Sequence, residues 1–376
     1  MRQLVALCLP ASESFVAWVR RIWDGGDAIL PLDPNLPPAA TERLLGVLRP
    51  GALVGADGES RALADGLPVE GGDAVVVATS GTTGEPKGVV LTHEAVAASA
   101  ELTSRRLEVD LEHDRWLACL PLSHVGGLSV VTRALHTGTP LDLLASYDSD
   151  AVLAAARRGA TLVSLVPTTL RRLGSDGAAL FRRILLGGAA PPEELPENVV
   201  TTYGLTETGS GVVYDGFPLD GVDLAISPAG EVLVRTPTAL RCYRDGTSPI
   251  LPGGWLATGD EGSLTTAGEL SVFGRTDDMI KSGGEKVWPE AVEAVLRRLP
   301  LVADVAVAGS PDPEWGQRVV AYVVPASGTT PTLDSLRGLV KDEIGAHAAP
   351  RQLVMLDRLP RTANGKLQRK LLTSEP

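Results

Sequence analysis

The amino-acid sequence predicts an α/β fold in two domains. The large N-terminal domain is expected to contain mostly parallel sheets layered with helices, plus a small antiparallel sheet or barrel, and a smaller α+β domain follows it. Between residues 73 and 203, short β-branched runs alternate with alanine-rich segments, as in βαβ units. Between residues 230 and 273, short strands are separated by Gly and Pro turns, which favours an antiparallel sheet. Residues 277–376 carry their own apolar strands and helices.

Composition supports a globular protein and excludes several classes of partner. The 376 residues are 44% hydrophobic, which is enough for two or three domains with a large core. The 34 basic and 46 acidic residues give a net charge of -12, which argues against nucleic acid and anionic membranes. The three cysteines are too few and too scattered for a disulfide framework or a Cys-based metal site, so we expect a cytoplasmic protein.

The elements expected in the large domain follow from apolar runs and from the turn residues that separate them. Residues 4–9 form an apolar run that predicts a strand and is too short to span a membrane. Residues 51–72 are rich in Gly, Ala and Asp, so we expect a loop there. The strands expected next are 74–78, 116–120, 161–166, 183–186 and 199–203.

The elements of the remaining chain are shorter and turn-rich at first. In chain order we expect strands 231–235, 255–257, 263–265 and 269–273, then helix 289–299, strands 302–309 and 319–325, helix 333–344 and strand 352–356. Residues 274–281 form the expected boundary. The predicted domains are therefore residues 1–276 and residues 277–376.

One stretch directly after the run 74–78 concentrates glycines, hydroxyls and a lysine. It reads Thr79, Ser80, Gly81, Thr82, Thr83, Gly84, Glu85, Pro86, Lys87 and Gly88. A strand ending in such a loop can point backbone N–H groups and hydroxyls at a polyphosphate. It is not a Walker A loop, because Gly88 and not Ser or Thr follows Lys87. A plain Gly-rich hairpin is the alternative, and it leaves the four hydroxyls and the lysine unexplained.

Together with four later segments, this loop resembles the adenylate-forming superfamily of acyl-CoA synthetases, carrier-protein adenylation domains and luciferases. The resemblance covers roughly residues 73 to 370 and is least useful for the first 70 residues. It implies that a carboxylate and ATP react to give an acyl-adenylate and pyrophosphate. It also implies that residues 79–84 hold the β- and γ-phosphates, with Lys87 nearby.

The resemblance assigns the rest of the nucleotide site to four segments. It implies adenine contacts for Gly187, Gly188, Ala189, Tyr203 and Gly204, an α-phosphate contact for Thr206, a magnesium ligand at Glu207, and ribose contacts for Asp260 and Arg275. A carboxylate suits a vicinal diol because it offers two acceptors in one plane. Two alternatives stay open: a simple turn at 187–189, and an aspartate that only caps a turn.

The C-terminal domain carries the remaining expected chemistry. The resemblance makes Lys366 the adenylation lysine, which would bridge the substrate carboxylate and the α-phosphate. It also implies rotation of the small domain at Asp277, bringing in a loop for thioester formation. That loop consists of Lys281, Ser282, Gly283, Gly284 and Glu285. An exposed tail lysine is the alternative for Lys366.

Two segments, 164–172 and 210–216, resemble the o-succinylbenzoate-CoA ligases of menaquinone biosynthesis. The residues expected to contact the acid are His124, Gly126, Ser164, Thr168, Arg171 and Gly188. Because the acid carries a second carboxylate, Arg171 or Arg172 could supply a cation for it. The alternative is that both arginines lie on the solvated face of their helix.

The resemblance thus implies an AMP-forming acid-thiol ligase that requires ATP, Mg²⁺ and coenzyme A and acts on 2-succinylbenzoate. Another aryl- or acyl-acid ligase delivering to CoA or a carrier protein is one alternative. A nucleotide-binding regulatory protein without catalysis is another. We expect small-molecule partners, no nucleic acid and no membrane insertion, and the sequence allows a homodimer.

Overall fold

The computed structural model describes residues 2–80, 86–361 and 367–373. Of the expected site residues, Gly81, Thr82, Thr83, Gly84 and Lys366 lie outside the described residues. The chain divides into two compact units. Unit 1 comprises Met1–Leu224 and Val234–Ala257, and unit 2 comprises Ala225–Leu233 and Thr258–Pro376.

Several helices begin at recognisable sequence signals. Ser12, Thr92, Asp148 and Thr332 each accept a backbone N–H at a helix start, which satisfies a donor that the helix leaves unpaired. The helices are α1 (Glu13–Asp24), α2 (Pro38–Leu48), α3 (His93–Arg106), α4 (Val125–Thr137), α5 (Ser149–Arg157), α6 (Pro167–Ala178), α7 (Pro289–Arg297), α8 (Leu333–Glu343) and α9 (Lys370–Thr373). Among the described residues, none of these helices has the length and apolarity that a membrane crossing demands.

The strands alternate with these helices in the first half of the chain and then follow one another closely. The first strands are β1 (Leu4–Leu7), β2 (Ala28–Pro31), β3 (Ala52–Val54), β4 (Ser60–Ala62), β5 (Asp73–Ser80), β6 (Pro86–Thr92), β7 (Trp116–Ala118), β8 (Leu141–Leu143), β9 (Leu162–Leu165), β10 (Arg183–Leu186), β11 (Val199–Leu205) and β12 (Ser210–Tyr214). The later strands are β13 (Phe217–Pro218), β14 (Asp223–Ile226), β15 (Glu231–Arg235), β16 (Cys242–Tyr243), β17 (Ile250–Leu251), β18 (Trp255–Leu264), β19 (Leu270–Arg275), β20 (Ile280–Ser282), β21 (Glu285–Val287), β22 (Val302–Asp312), β23 (Gly316–Pro325) and β24 (Gln352–Met355).

The first sheet of unit 1 has the strand order β16-β6-β5-β2-β1-β3-β4. Its centre is parallel, and β6 and β16 extend it in antiparallel fashion beside β5. The expectation of a loop over residues 51–72 is wrong, because β3 and β4 lie there. Leu53 and Val54 are buried where β3 pairs with β1, so this short apolar run gains a ladder and core contacts that its Gly-rich surroundings obscure.

The second sheet of unit 1 is mostly parallel, with the order β13-β12-β11-β10-β9-β7-β8. Strands β8, β7, β9, β10 and β11 run parallel, so their carboxyl ends meet at one edge. The residues of β9 are buried along the whole strand, as expected when helices cover both faces of a parallel sheet. This edge is where ligands bind in open α/β sheets.

The short strands between residues 223 and 275 form a five-stranded sheet, in which β18 pairs with β17 and with β19 in antiparallel fashion. The sequence predicted two strands, 255–257 and 263–265, but β18 is continuous over Trp255–Leu264. Alternate residues of β18 are buried, which is the period of one strand with one buried face. A register shift between Glu261 and Gly262 accommodates the glycine that looked like a break.

Unit 2 contains a further sheet with the order β21-β20-β23-β22 and with β24 parallel to β23. Its two faces form separate clusters. Helices α7 and α8 cover one face, where Val305, Val307 and Val319 are buried. Leu359 and Leu367, from the chain on either side of residues 362–366, pack with the cluster on the other face.

Candidate active site

The carboxyl edge of the second sheet gathers most of the residues expected to contact ATP and the acid. His124 directly precedes α4, on the chain that follows β7, and α6 begins just after β9. Gly187 and Gly188 follow β10, and Thr206 follows β11. Segments that lie far apart in the sequence are therefore neighbours in order along one sheet edge, as the parallel topology requires.

The glycine- and hydroxyl-rich loop joins two antiparallel strands. Thr79 pairs with Lys87 and Ser80 with Pro86 across β5 and β6, so the ends of the loop are held together by the sheet. The Thr79 hydroxyl donates to the Lys87 carbonyl over 3.4 Å. The described residues on either side of the loop therefore form a hairpin base.

The second nucleotide segment ends β11 and forms a short 3-10 turn at Thr206–Thr208. The Thr208 hydroxyl accepts from the backbone N–H of Leu205 over 2.8 Å, which fixes this turn. Gly204 is required by close approach, because a Cβ there would lie 2.1 Å from the Ser210 carbonyl oxygen. The carboxylate oxygen Oε1 of Glu207 accepts from the Tyr243 hydroxyl over 3.0 Å.

The residues expected to contact the acid occupy two helix starts and one strand. His124 and Gly126 are exposed at the start of α4, and Ser164 is buried in β9. The Thr169 hydroxyl accepts from the backbone N–H of Val166 over 3.0 Å and so closes the first turn of α6. Next to it on α6, the side chains of Arg171 and Arg172 are exposed. Their exposure leaves both earlier interpretations open: a cation for a second carboxylate, or a solvated face.

Asp260 and Arg275 lie directly opposite each other on β18 and β19 of unit 2. Asp260 is 5% exposed, and its Oδ1 lies 3.3 Å from an Arg275 guanidinium nitrogen. Arg275 also donates to the Thr258 carbonyl over 3.0 Å. Asp260 lies within a strand, where its carboxylate is held beside a cation.

The loop expected to act in thioester formation is a two-residue hairpin turn between β20 and β21. Gly283 and Gly284 have φ of 62° and 87°, values that require glycine here and match a type I′ turn. The backbone N–H of Lys281 donates to the Gln317 side-chain oxygen over 2.8 Å. Nearby, Asp277 lies in the short 3-10 turn Thr276–Asp278.

Two arginines of unit 2 anchor the chain on either side of residues 362–366. Arg361 pairs with Asp304 over 2.8 Å and forms a bridge with Leu367, and the N–H of Gln368 donates to the Pro360 carbonyl over 2.9 Å. Just beyond, the largely buried guanidinium of Arg369 bonds to Glu293 and Glu290. The described chain is therefore anchored to unit 2 both before residue 362 and after residue 366.

The buried charges around Arg369 shift the pKa of the groups involved. Burial disfavours the charged guanidinium, but the Glu293 and Glu290 carboxylates more than offset this, so the pKa of Arg369 is raised. Burial raises the pKa of Glu290, although Arg369 opposes the shift. The cluster is thus an ion-pair network whose cation is held firmly in its charged form.

Two parts of this arrangement escaped the sequence reasoning. Tyr243 lies between Lys87 and Glu207, with the Lys87 ammonium nitrogen 4.8 Å from the centre of its ring. Arg369 follows Lys366 by three residues and contacts α7, whose residues lie more than 70 positions earlier. The local sequence offers one weak sign of these contacts. In Cys242-Tyr243-Arg244, and in the basic segment near the C-terminus, a charged residue lies beside an apolar one.

Comparison with known proteins places the chain in a family. Residues 67–268 match the model of the AMP-binding enzyme family, and residues 291–366 match that of the AMP-binding enzyme C-terminal domain. A protein of Mycobacterium tuberculosis named "Probable 2-succinylbenzoate–CoA ligase" is 36% identical over 390 residues, covering 98% of this chain and 94% of that protein. The chain therefore belongs to the AMP-binding enzyme family.

Other relatives and solved structures agree. The 2-succinylbenzoate–CoA ligase of Bacillus anthracis is 36% identical over 334 residues, covering 79% of this chain and 69% of that protein. The o-succinylbenzoate CoA synthetase of Bacillus subtilis, solved with its acyl-adenylate intermediate, matches with a TM-score of 0.88 and 29% identity, covering 100% of this chain and 89% of that one. The same synthetase with ATP and magnesium matches with a TM-score of 0.86 and 29% identity over 99% of this chain and 90% of that one. The expected two-domain α/β architecture is confirmed by these matches.

Proposed function

We propose, from the chain's membership of the AMP-binding enzyme family, that it is an ATP-dependent 2-succinylbenzoate–CoA ligase. The reaction has two steps: the acid is adenylated, and its acyl group then passes to coenzyme A. The observation that carries the proposal is the gathering of the 124–126, 164–171, 187–189 and 203–207 segments at one sheet edge. The two similar ligases and the synthetase bound to OSB-AMP support the choice of acid.

In the first step, a carboxylate oxygen of the acid bonds to the α-phosphorus of ATP while the bond to the bridging oxygen breaks and pyrophosphate leaves. Negative charge builds on the α-phosphate and on the leaving group, so the protein's task is to position and neutralise charge. We assign the β- and γ-phosphates to residues 79–84 and Lys87, and the α-phosphate to Thr206. Lys366 would bridge the carboxylate and the α-phosphate.

Glu207 fits the role of a magnesium ligand by its chemistry. Mg²⁺ is usually held by one or two carboxylates together with substrate phosphates, and it prefers hard oxygen donors. Glu207 is half-buried at the end of β11, and one of its oxygens already accepts from Tyr243. When bound, the ion would supply positive charge to the phosphates. The contribution of the chain is to hold the other carboxylate oxygen in place.

We assign the nucleoside to the adenine and ribose residues that the family resemblance implies. Tyr203, Gly187, Gly188 and Ala189 would contact the adenine, and Gly204 would allow the backbone to approach it. Asp260 would accept hydrogen bonds from the two ribose hydroxyls, with Arg275 assisting. The Arg275 guanidinium lies 3.3 Å from Oδ1 of Asp260, so a cation lies beside the carboxylate that would meet the diol.

In the second step, the thiol sulfur of coenzyme A bonds to the acyl carbon as the bond to the AMP oxygen breaks, and the thiol proton passes to solvent. We propose that residues 281–285 take part in this step, after the C-terminal domain, residues 277–376, turns about Asp277. The two-glycine hairpin turn is compact and bears no large side chain at its tip, so it could approach a thiol ester closely.

The acid pocket would use small residues and one cation. His124, Gly126 and Gly188 would lie around the reacting end, with Ser164 and Thr168 beside the ring. The exposed Arg171 would meet the second carboxylate, for which a guanidinium offers a planar pair of donors. All three cysteines are free thiols, and we place the enzyme in the cytoplasm.

The test is pyrophosphate release by the purified protein with a panel of acids. We expect 2-succinylbenzoate to support release, and simple benzoates and short fatty acids to support little. Arg171→Met should raise the KM for 2-succinylbenzoate and leave the KM for ATP unchanged, with Arg172→Met as the matched control. Activity with the other acids but none with 2-succinylbenzoate would overturn the substrate assignment. Absence of an acyl-adenylate with every acid would favour a regulatory protein instead.

A further inference from the structure

Tyr243 joins two residues of the proposed ATP site that come from different segments. We infer that Tyr243 is a positioning residue, which orients the Glu207 carboxylate for the magnesium ion and holds the Lys87 ammonium beside the phosphates. This inference rests on the proposed function. It concerns a residue from β16, a two-residue strand at the edge of the first sheet that lies outside every motif of the resemblance.

The contact with Glu207 is a directed hydrogen bond. The Tyr243 hydroxyl lies 3.0 Å from Oε1 of Glu207, and because an ionised carboxylate can only accept, the hydroxyl donates. This hydrogen bond occupies Oε1 and restricts the rotation of the carboxylate, and Oε2 is the oxygen that would meet the cation. Carboxylates that bind metals are commonly held by such a hydrogen bond, and losing it typically costs about 10- to 100-fold in metal affinity or activity.

The contact with Lys87 uses the face of the same ring. The Lys87 ammonium nitrogen lies 4.8 Å from the ring centre, within the range of a cation–π interaction. A free lysine side chain samples many rotamers, and confining it costs entropy at the moment of binding. The ring restricts Lys87 before ATP arrives. The Tyr243 side chain therefore positions both the Glu207 carboxylate and the Lys87 ammonium group.

Tyr243 is itself held rigidly by its neighbours in the chain. Arg241 pairs in bidentate fashion with the buried Asp73, with nitrogen–oxygen distances of 2.8 and 2.9 Å. The Arg244 guanidinium donates to backbone carbonyls of unit 1, including those of Leu48 at 3.1 Å and Pro68 at 2.7 Å. Both flanking side chains thus anchor the short strand, and a positioning residue acts only if it is itself fixed.

The chain around Tyr243 is also bonded to the backbone of the segments that carry Glu207 and Lys87. The backbone N–H of Leu240 donates to the Glu207 carbonyl over 2.7 Å, and Tyr243 pairs with Val89 across the sheet, two residues after Lys87. The strand that carries Tyr243 is therefore bonded to both of the segments whose side chains it contacts. A ring that merely filled space would need neither the hydroxyl contact nor the ammonium contact.

The experiment measures ATP binding by calorimetry as a function of magnesium concentration, with no acid present. Tyr243→Phe removes only the hydroxyl, and Tyr243→Leu removes the ring as well. Tyr322→Phe, a hydroxyl deletion in the sheet of unit 2, is the matched control. We expect Tyr243→Phe to need about 10-fold more magnesium for the same ATP affinity. Its affinity for ATP in excess EDTA should equal that of the wild type.

Tyr243→Leu should share this shift and should also weaken ATP binding in EDTA about two- to fivefold, because Lys87 loses its cation–π partner. An unchanged magnesium dependence in Tyr243→Phe would overturn the inference. So would equal shifts in Tyr243→Phe and Tyr322→Phe. Failure of the wild type to bind ATP at any magnesium concentration would instead overturn the proposed function, so the two failures are distinguishable.

Discussion

Replacing Arg369 by Met should destabilise unit 2 selectively. Its guanidinium bonds to Glu293, to an oxygen of Glu290 at 2.6 Å and to the Val307 carbonyl at 2.9 Å, and Asp278 lies 3.5 Å away. The Arg369 side chain is only 12% exposed and that of Glu293 only 4%. Methionine would keep the aliphatic stem and remove the charge, leaving two acidic groups in a largely buried position.

The size of the effect depends on which hydrogen-bond and ion-pair partners each carboxylate retains in the variant. Glu293 retains Arg297 at 3.0 Å and the Val307 N–H at 2.8 Å, whereas Glu290 loses its ion-pair partner. Breaking a buried ion pair costs about 3–5 kcal/mol, and we take the lower end, about 3 kcal/mol, because Glu293 stays paired. The penalty should shrink as the pH falls, since burial already raises the pKa of Glu290 and protonation removes its charge.

Hydrogen exchange read by mass spectrometry measures this effect within unit 2. About 3 kcal/mol corresponds to roughly 100-fold faster exchange of peptides from β22 and β23, while peptides from β9 to β11 keep their rates. The control is Arg298→Met, which breaks the exposed pair with Glu343 at 3.0 Å and should cost at most about 1 kcal/mol. Equal exchange in the two variants would refute the view that the Arg369 cluster anchors this unit.

Three further predictions concern catalysis, pH and ribose binding. Lys366→Ala should lower adenylation by about 10²-fold or more and leave thioester formation from supplied acyl-adenylate largely intact, and equal loss in both half-reactions would contradict this. Burial lowers the pKa of His93 and His136, whose rings both lie against Trp23. Because the folded state disfavours protonation of these imidazoles, the free energy of unfolding should be highest above a pH of about 6.5 and should fall below it. The thermal midpoint should drop between pH 7.5 and 5.5, and less so in His136→Gln. Asp260→Ala should weaken the binding of ATP and leave the binding of tripolyphosphate unchanged, because tripolyphosphate has no ribose. Calorimetry with each ligand measures this difference.

Local patterns predicted the elements whose central residues are apolar or β-branched. Strands 183–186 and 231–235 were predicted with their observed bounds, because each run is closed by turn residues. The expected site residues follow strands of the second sheet, and the parallel order brings the ends of these strands to one edge. The prediction was wrong for 51–72 and for the interruption of β18, where tertiary pairing outweighs the local signal of glycine.

The contacts that hold the site together carry no local pattern. Tyr243 meets Glu207 across 36 residues and Arg369 meets Glu290 across 79, so neither pair leaves a period or a motif in the sequence. Motif reasoning finds side chains that touch a ligand, because their spacing is tied to a loop or a turn. It misses side chains that orient them, because these need only arrive from a neighbouring strand.

Isotope labelling tests most directly whether the chain adenylates a carboxylic acid. The purified protein is incubated with 2-succinylbenzoate labelled with ¹⁸O in its carboxylates, ATP, magnesium and coenzyme A, and the products are read by mass spectrometry. Attack of a carboxylate oxygen on the α-phosphorus predicts one ¹⁸O atom in AMP, unlabelled pyrophosphate and a CoA thioester. Label in inorganic phosphate together with ADP would show attack at the γ-phosphorus and would contradict the account.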